Sequence, residues 1–159
     1  MPKLPESSQY KNSEEFKKRI AALMDDNECR TAKEFAALVS VSEPVISKAK
    51  NYGIVPGVRV LIRIADRLSL SLLYLLGKEQ VNEFIPSASP SSFHIRIDGL
   101  TKERGLNYGQ IATKMPFPRT YIYEWIKEGT YPSLDYALML ADYFNVSLDY
   151  LFGRTDYRH

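Results

Sequence analysis

The chain is poor in the residues that build disulfides and metal sites. Of its 159 residues one is cysteine, Cys29, and two are histidine, His94 and His159. A single thiol cannot form a disulfide within the chain. One cysteine and two distant histidines do not supply the ligands of a zinc site. No metal or other cofactor is expected. Long hydrophobic runs are missing too. Stretches such as LSLSLLYLLG (68–77) fall well short of the roughly 20 residues that span a bilayer, so no membrane partner is expected. The opening MPKLPESSQYK is polar, carries two prolines and has no apolar segment. No signal peptide is expected from it, and the cytoplasm is the expected location. Net charge is scarce as well, only +2. Residues 1–79 hold 13 Lys/Arg and 10 Asp/Glu, and residues 80–159 hold 8 and 9. A nucleic-acid partner would have to be held by a local patch and not by a global field. There is no glycine-rich phosphate loop and no nucleophile beside a plausible base. Enzymatic activity is not expected, and no small-molecule ligand is evident.

What is present is an internal repeat. Sliding the chain by 76 residues sets 31–78 on 107–154 without a gap. Ala36 then meets Ala112, Ile46 meets Ile122, Gly53 meets Gly129 and Pro56 meets Pro132. Further on, Ala65-Asp66 meets Ala141-Asp142, Ser71-Leu72 meets Ser147-Leu148, and Tyr74-Leu75 meets Tyr150-Leu151. Gly77 meets Gly153. Phe16, Ile20 and Leu23 match Phe93, Ile97 and Leu100 with a shift of 77, so one extra residue lies near 25–30 in the first copy. Between the copies, VNEFIPSASPSS is rich in Ser and Pro and has no helical period. The expected organisation is a polar arm at 1–11, a first domain at 12–79, a linker at 80–92 and a second domain at 93–159.

Apolar residues recur at three- and four-residue spacing, which predicts helices throughout and no strand. The fold class is therefore all-α, with five helices in each copy. In the first copy Phe16, Ile20 and Leu23 mark the first helix. Thr31 caps the second, which turns Phe35, Ala36 and Val39 inward. Ser42 caps the third, with Glu43 and Pro44 in its first turn and Ile46 facing the core. Val58, Leu61, Ile64, Ala65 and Leu68 mark the fourth. Ser71 caps a short fifth helix with Leu72 and Leu75 inside, ended by Gly77. In the second copy Asn107 caps the second helix, with Ile111, Ala112 and Met115 inside. The third runs near 119–127, with Ile122 and Trp125 buried. Ser133 caps a helix holding Leu134, Ala137, Leu138, Ala141 and Phe144. Ser147 caps the last, with Leu148 and Leu151 inside and Gly153 ending it. The run Lys17-Lys18-Arg19 reads as a solvated helix face and Asp25-Asp26 as a loop. His94 and Trp125 read as packing residues, while Tyr121 and Tyr123 fit packing and base contact equally.

The second copy contains RTYIYEWIKEGTYPSLDYALMLADYFNVSLDYLFG, and the first FAALVSVSEPVISKAK and RLSLSLLYLLG. These segments resemble the phage-repressor or Cro-like (xenobiotic-response-element) helix-turn-helix family. The resemblance implies two tandem five-helix domains of the lambda-repressor type, and double-stranded DNA as partner. In that family the third helix enters the major groove with its N-terminal residues at base edges. Only that groove admits a helix and displays a distinct donor and acceptor pattern for each base pair. Carried over residue by residue, the first copy would present Ser42, Glu43, Pro44, Val45, Ser47 and Lys48. The second would present Arg119, Thr120, Tyr121, Tyr123 and Glu124. Arg119 suits a two-pronged guanine contact, and Val45 a thymine methyl. Lys48, Lys50 and Lys127 would hold phosphates. So would Thr31 and Asn107 at the start of the second helix, with Lys33 and Gln110 beside them. Ala32 and Tyr108 stand where the family often has glutamine, and Pro118 replaces a serine cap.

The functional expectation is a sequence-specific transcriptional regulator, a repressor, reading two unlike half-sites about 34 Å apart. An extended linker of 13 residues (80–92) would reach roughly 40 Å. If the chain also pairs as a homodimer, a longer site with overall symmetry is expected. The alternative is a protein-interaction module on the same fold, an anti-repressor or antitoxin-like partner. Glu43, Glu124 and the missing second-helix glutamine motivate it. RNA binding is a weaker third reading, since no aromatic platform on a sheet is expected.

Overall fold

The computed structural model describes residues 12–159, and the arm expected at 1–11 lies outside them. The described chain is all-helical. It divides into two compact units that meet in sequence between Phe84 and Ile85.

In the unit of residues 12–84 the helices are α1 (Glu14–Asp26), α2 (Ala32–Val39), α3 (Glu43–Tyr52), α4 (Val58–Leu68) and α5 (Leu72–Leu75). Ser13 starts α1, its hydroxyl accepting the Phe16 amide at 3.1 Å. Thr31 starts α2 through a capping box with Glu34, which satisfies amides that the helix itself leaves unpaired. Ser42 stands at the N-cap of α3, but its side chain makes no capping bond there. The core gathers Phe16 and Ile20 of α1, Phe35 and Val39 of α2, Ile46 of α3, Leu61 and Ile64 of α4, and Leu72 and Leu75 of α5. α3 packs against both α1 and α2, which holds its inner face down and leaves the outer face open.

In the unit of residues 85–159 the helices are α6 (Phe93–Glu103), α7 (Tyr108–Ala112), α8 (Arg119–Glu128), α9 (Leu134–Phe144) and α10 (Leu148–Leu151). Helices α8, α9 and α10 begin and end 76 positions after α3, α4 and α5, and α7 begins 76 after α2. Phe93 is the centre of the core, with Trp125, Tyr131 and Phe152 around its ring. Three inner positions differ from expectation, and Leu134 is one of them, being half-buried. Leu140, not Leu138, is the fully buried leucine of α9. Met115 is half-buried and lies beyond α7, which ends at Ala112. The two prolines that follow cannot continue a helix in register, and Phe117 between them fills the core instead, 2% exposed.

Each unit is closed by an arginine of its first helix laid over a tyrosine ring. Arg19 lies over the Tyr74 ring (3.8 Å) and donates from Nε to the Tyr74 carbonyl and from Nη2 to the Glu79 carbonyl, both at 2.8 Å. Arg96 lies over the Tyr150 ring (3.9 Å) and donates from Nη2 to the Thr155 carbonyl at 3.0 Å. Arg19 is thus a tie between the first helix and the tail of its unit, not part of a solvated run.

The stretch 80–92 is not a free tether. The Asn82 side chain accepts the Ser71 amide at 2.9 Å and donates to the Ser69 carbonyl at 3.0 Å. On the other side, the amides of Ser87 and Ser91 donate to the carbonyls of Arg154 and Gly153, both at 2.9 Å. The Thr155 hydroxyl donates to the Ile85 carbonyl at 2.7 Å. The Ser87 hydroxyl also donates to Asp156 Oδ1 at 2.8 Å.

Candidate nucleic-acid interface

The outer face of α8 is built by simple periodicity. Ile122 and Trp125 point inward, while Arg119, Thr120, Tyr123, Glu124 and Lys127 are exposed. Pro118 supplies an extended N-cap without a side-chain bond, so the first turn of α8 is not covered by a cap of its own. Arg119 passes close to Gly109. A Cβ built on Gly109 would lie 3.7 Å from the Arg119 Cδ, so the arginine stem runs along the start of α7. The preceding cap is neutral. The Gln110 amide donates to Asn107 Oδ1 and the Asn107 amide to Gln110 Oε1, both at 2.9 Å.

The same positions in the first unit carry different chemistry. The cap of α2 is closed by a carboxylate. Glu34 Oε1 accepts the amides of Arg30 and Thr31 and the Thr31 hydroxyl, each at 3.2 Å. This carboxylate sits where a phosphate would look for amide donors, and two like charges cannot share them cheaply. Lys33 and Glu43 occupy the positions of Gly109 and Arg119, both exposed. Ser42, Pro44 and Lys48 are exposed as well, while Val45, Ser47 and Lys50 are half-buried.

Tyr121 and Tyr123 separate in the structure. Tyr121 is half-buried in a ring cluster with Phe117, Trp125 and Tyr136. Its position on α8 sets its ring against Phe117, so much of it is taken up in packing. Tyr123 is 51% exposed. Its ring meets Tyr108 edge-on, with centroids 5.4 Å apart. The Tyr108 hydroxyl donates to Asp98 Oδ1 at 2.9 Å, and Asp98 Oδ2 pairs with Lys102 at 2.9 Å. The bonds from Lys102 and Tyr108 hold the Asp98 carboxyl below the usual range. Burial, then the bond to Asp98, pushes the Tyr108 phenol well above its ordinary value. Sequence reasoning missed Asp98, Tyr108 and Phe117 as contributors. In the sequence Tyr108 reads only as a lost glutamine.

Residues 100–151 match a helix-turn-helix family model. The match runs from the end of α6 through α10 and contains α7 and α8, the two helices just described. A helix-turn-helix points to a DNA-binding regulator. The first unit has no such match among the comparisons, and neither curated proteins nor solved structures give one for the chain. No helix among the described residues is long and apolar enough to cross a membrane, and they contain no cluster of metal-ligating side chains.

Proposed function

We propose that the chain is a sequence-specific regulator of transcription, a repressor, that binds double-stranded DNA with α8 in the major groove. The observation that carries this reading is the open face of α8, led by Arg119 and preceded by an uncharged cap at Asn107 and Gln110. Arg119, Thr120, Tyr123 and Lys127 form the contact set on that face. The coincidence of helix bounds at a spacing of 76 supports a tandem arrangement of two like domains. The units divide the work: Glu34 and Glu43 disfavour phosphate at the first unit, so α3 contributes less, chiefly through Lys48 and Lys50.

The test is titration of the full chain on DNA chosen by repeated selection from random duplexes. Phosphate contacts release counterions, so the logarithm of affinity should fall linearly with that of salt, with slope near −0.9 per contact. We expect a slope of about −2 from Arg119 and Lys127 alone, steepening to about −4 if Lys48 and Lys50 also reach phosphates. A flat response would remove DNA as the partner. Glu43 and the carboxylate cap of α2 favour a second reading for the first unit alone, a surface for a protein partner.

A further inference from the structure

Three residues of the second unit stand together where the first unit has nothing comparable. Tyr123 projects from α8, Tyr108 from the start of α7, and Asp98 from the outer side of α6. Tyr108 touches both others, the first by its ring and the second by its hydroxyl. At the matching positions the first unit has Ser47, Ala32 and Ala21. None of the three could pass on a ring contact or a phenol bond, and there the shallow cavity of about 560 Å³ at Ala21 extends to Cys29 and Lys50. The set is present whole in one unit and missing whole in the other, as expected of parts that serve one another.

An exposed tyrosine on a helix normally samples several rotamers, and ordering it on binding costs entropy. A neighbour that restricts the ring beforehand lowers that cost. Tyr108 can do this because its own ring is fixed at the far end by Asp98, which Lys102 holds in turn. We infer that Tyr108 is a positioning residue, held by Asp98, that sets the Tyr123 ring to contact the methyl group of one thymine in the major groove. The inference rests on the DNA-binding reading above. Thymine is the base that offers an apolar group in that groove. Arg119 lies one helical turn before Tyr123 on the same side, so the thymine should be close to the base pair that Arg119 reads.

The experiment uses the full chain and its selected duplex, with each thymine in turn replaced by uracil, which removes only the methyl. For the wild-type protein one replacement should weaken binding about fivefold. Tyr123→Ala should bring that thymine-to-uracil ratio to one. Tyr108→Phe keeps the ring but loses the bond to Asp98. Asp98→Ala loses the acceptor. Each should lower the ratio at that position, and the double variant should lower it no further than either alone. Thermal unfolding and affinity for unrelated duplex serve as controls. A purely structural role would shift these and leave the ratio intact. If no duplex is selected, the DNA reading and this inference both fall. If a duplex is selected but no uracil position matters, or the ratio survives Tyr108→Phe and Asp98→Ala, this inference is overturned and the DNA reading stands.

Discussion

Arg119→Ala should cost about ten- to a hundredfold in discrimination at one base pair, the range of a two-pronged guanine contact. Binding to unrelated duplex should fall much less, because a single phosphate-range cation is lost from a surface that holds others. The reason lies in placement. Arg119 begins α8, is exposed, and its stem runs beside Gly109 at the start of α7. Selection from random duplexes with wild-type and variant chains measures this directly. One position of the preferred site should lose its guanine while the others persist. Equal weakening on every sequence would make Arg119 a phosphate contact instead.

Gly153→Ala should destabilise the second unit by more than about 3 kcal/mol, through a backbone strained at a special angle together with a clash in the core. Gly153 has φ +72°, a region that costs other residues about 1 kcal/mol or more. A Cβ there would also fall 2.3 Å from the Ser91 carbonyl carbon. That atom belongs to backbone, which cannot swing aside as a side chain does. Gly99 provides the contrast. It lies inside α6, and a Cβ on it meets nothing within 4 Å. Gly99→Ala should stabilise by roughly 0.5–1 kcal/mol through helix propensity alone. Denaturant unfolding of the two variants beside the wild type checks both signs. A Gly153→Ala protein as stable as the wild type would refute the account of the close approach.

Much of the fold was legible because its signals are local. The caps Thr31, Asn107, Ser71, Ser133 and Ser147 all stand at helix starts, and each accepts an amide three residues on. Phe16, Ile20, Phe35, Ile46, Phe93, Ile97 and Ile122 are all fully buried, as their spacing predicts. What escaped depends on contacts distant in sequence. Arg19 reads as solvated beside two lysines, since its partners Tyr74 and Glu79 lie more than 50 residues away. Yet Arg19 and Arg96 keep the 77-residue shift of their helices and Tyr74 and Tyr150 the 76-residue shift of theirs, and that pairing was available in the sequence. Phe117 stands between two prolines with no periodicity to mark it as core, and its burial follows from the early end of α7. At the candidate interface, periodicity shows which side of α8 is open. It does not distinguish Tyr121 from Tyr123, two positions apart. Only the aromatic cluster around Phe117 does that.

The position of Trp125 supplies a natural optical reporter. It is the sole tryptophan of the chain and sits on the inner side of α8, 7% exposed. Its emission therefore arises from the second unit alone, within a cage of Phe93, Phe117 and Tyr121. Any displacement of α8 by a bound duplex would alter that cage. Excited at wavelengths that tyrosine does not absorb, the unlabelled protein can thus report on one helix through Trp125 alone.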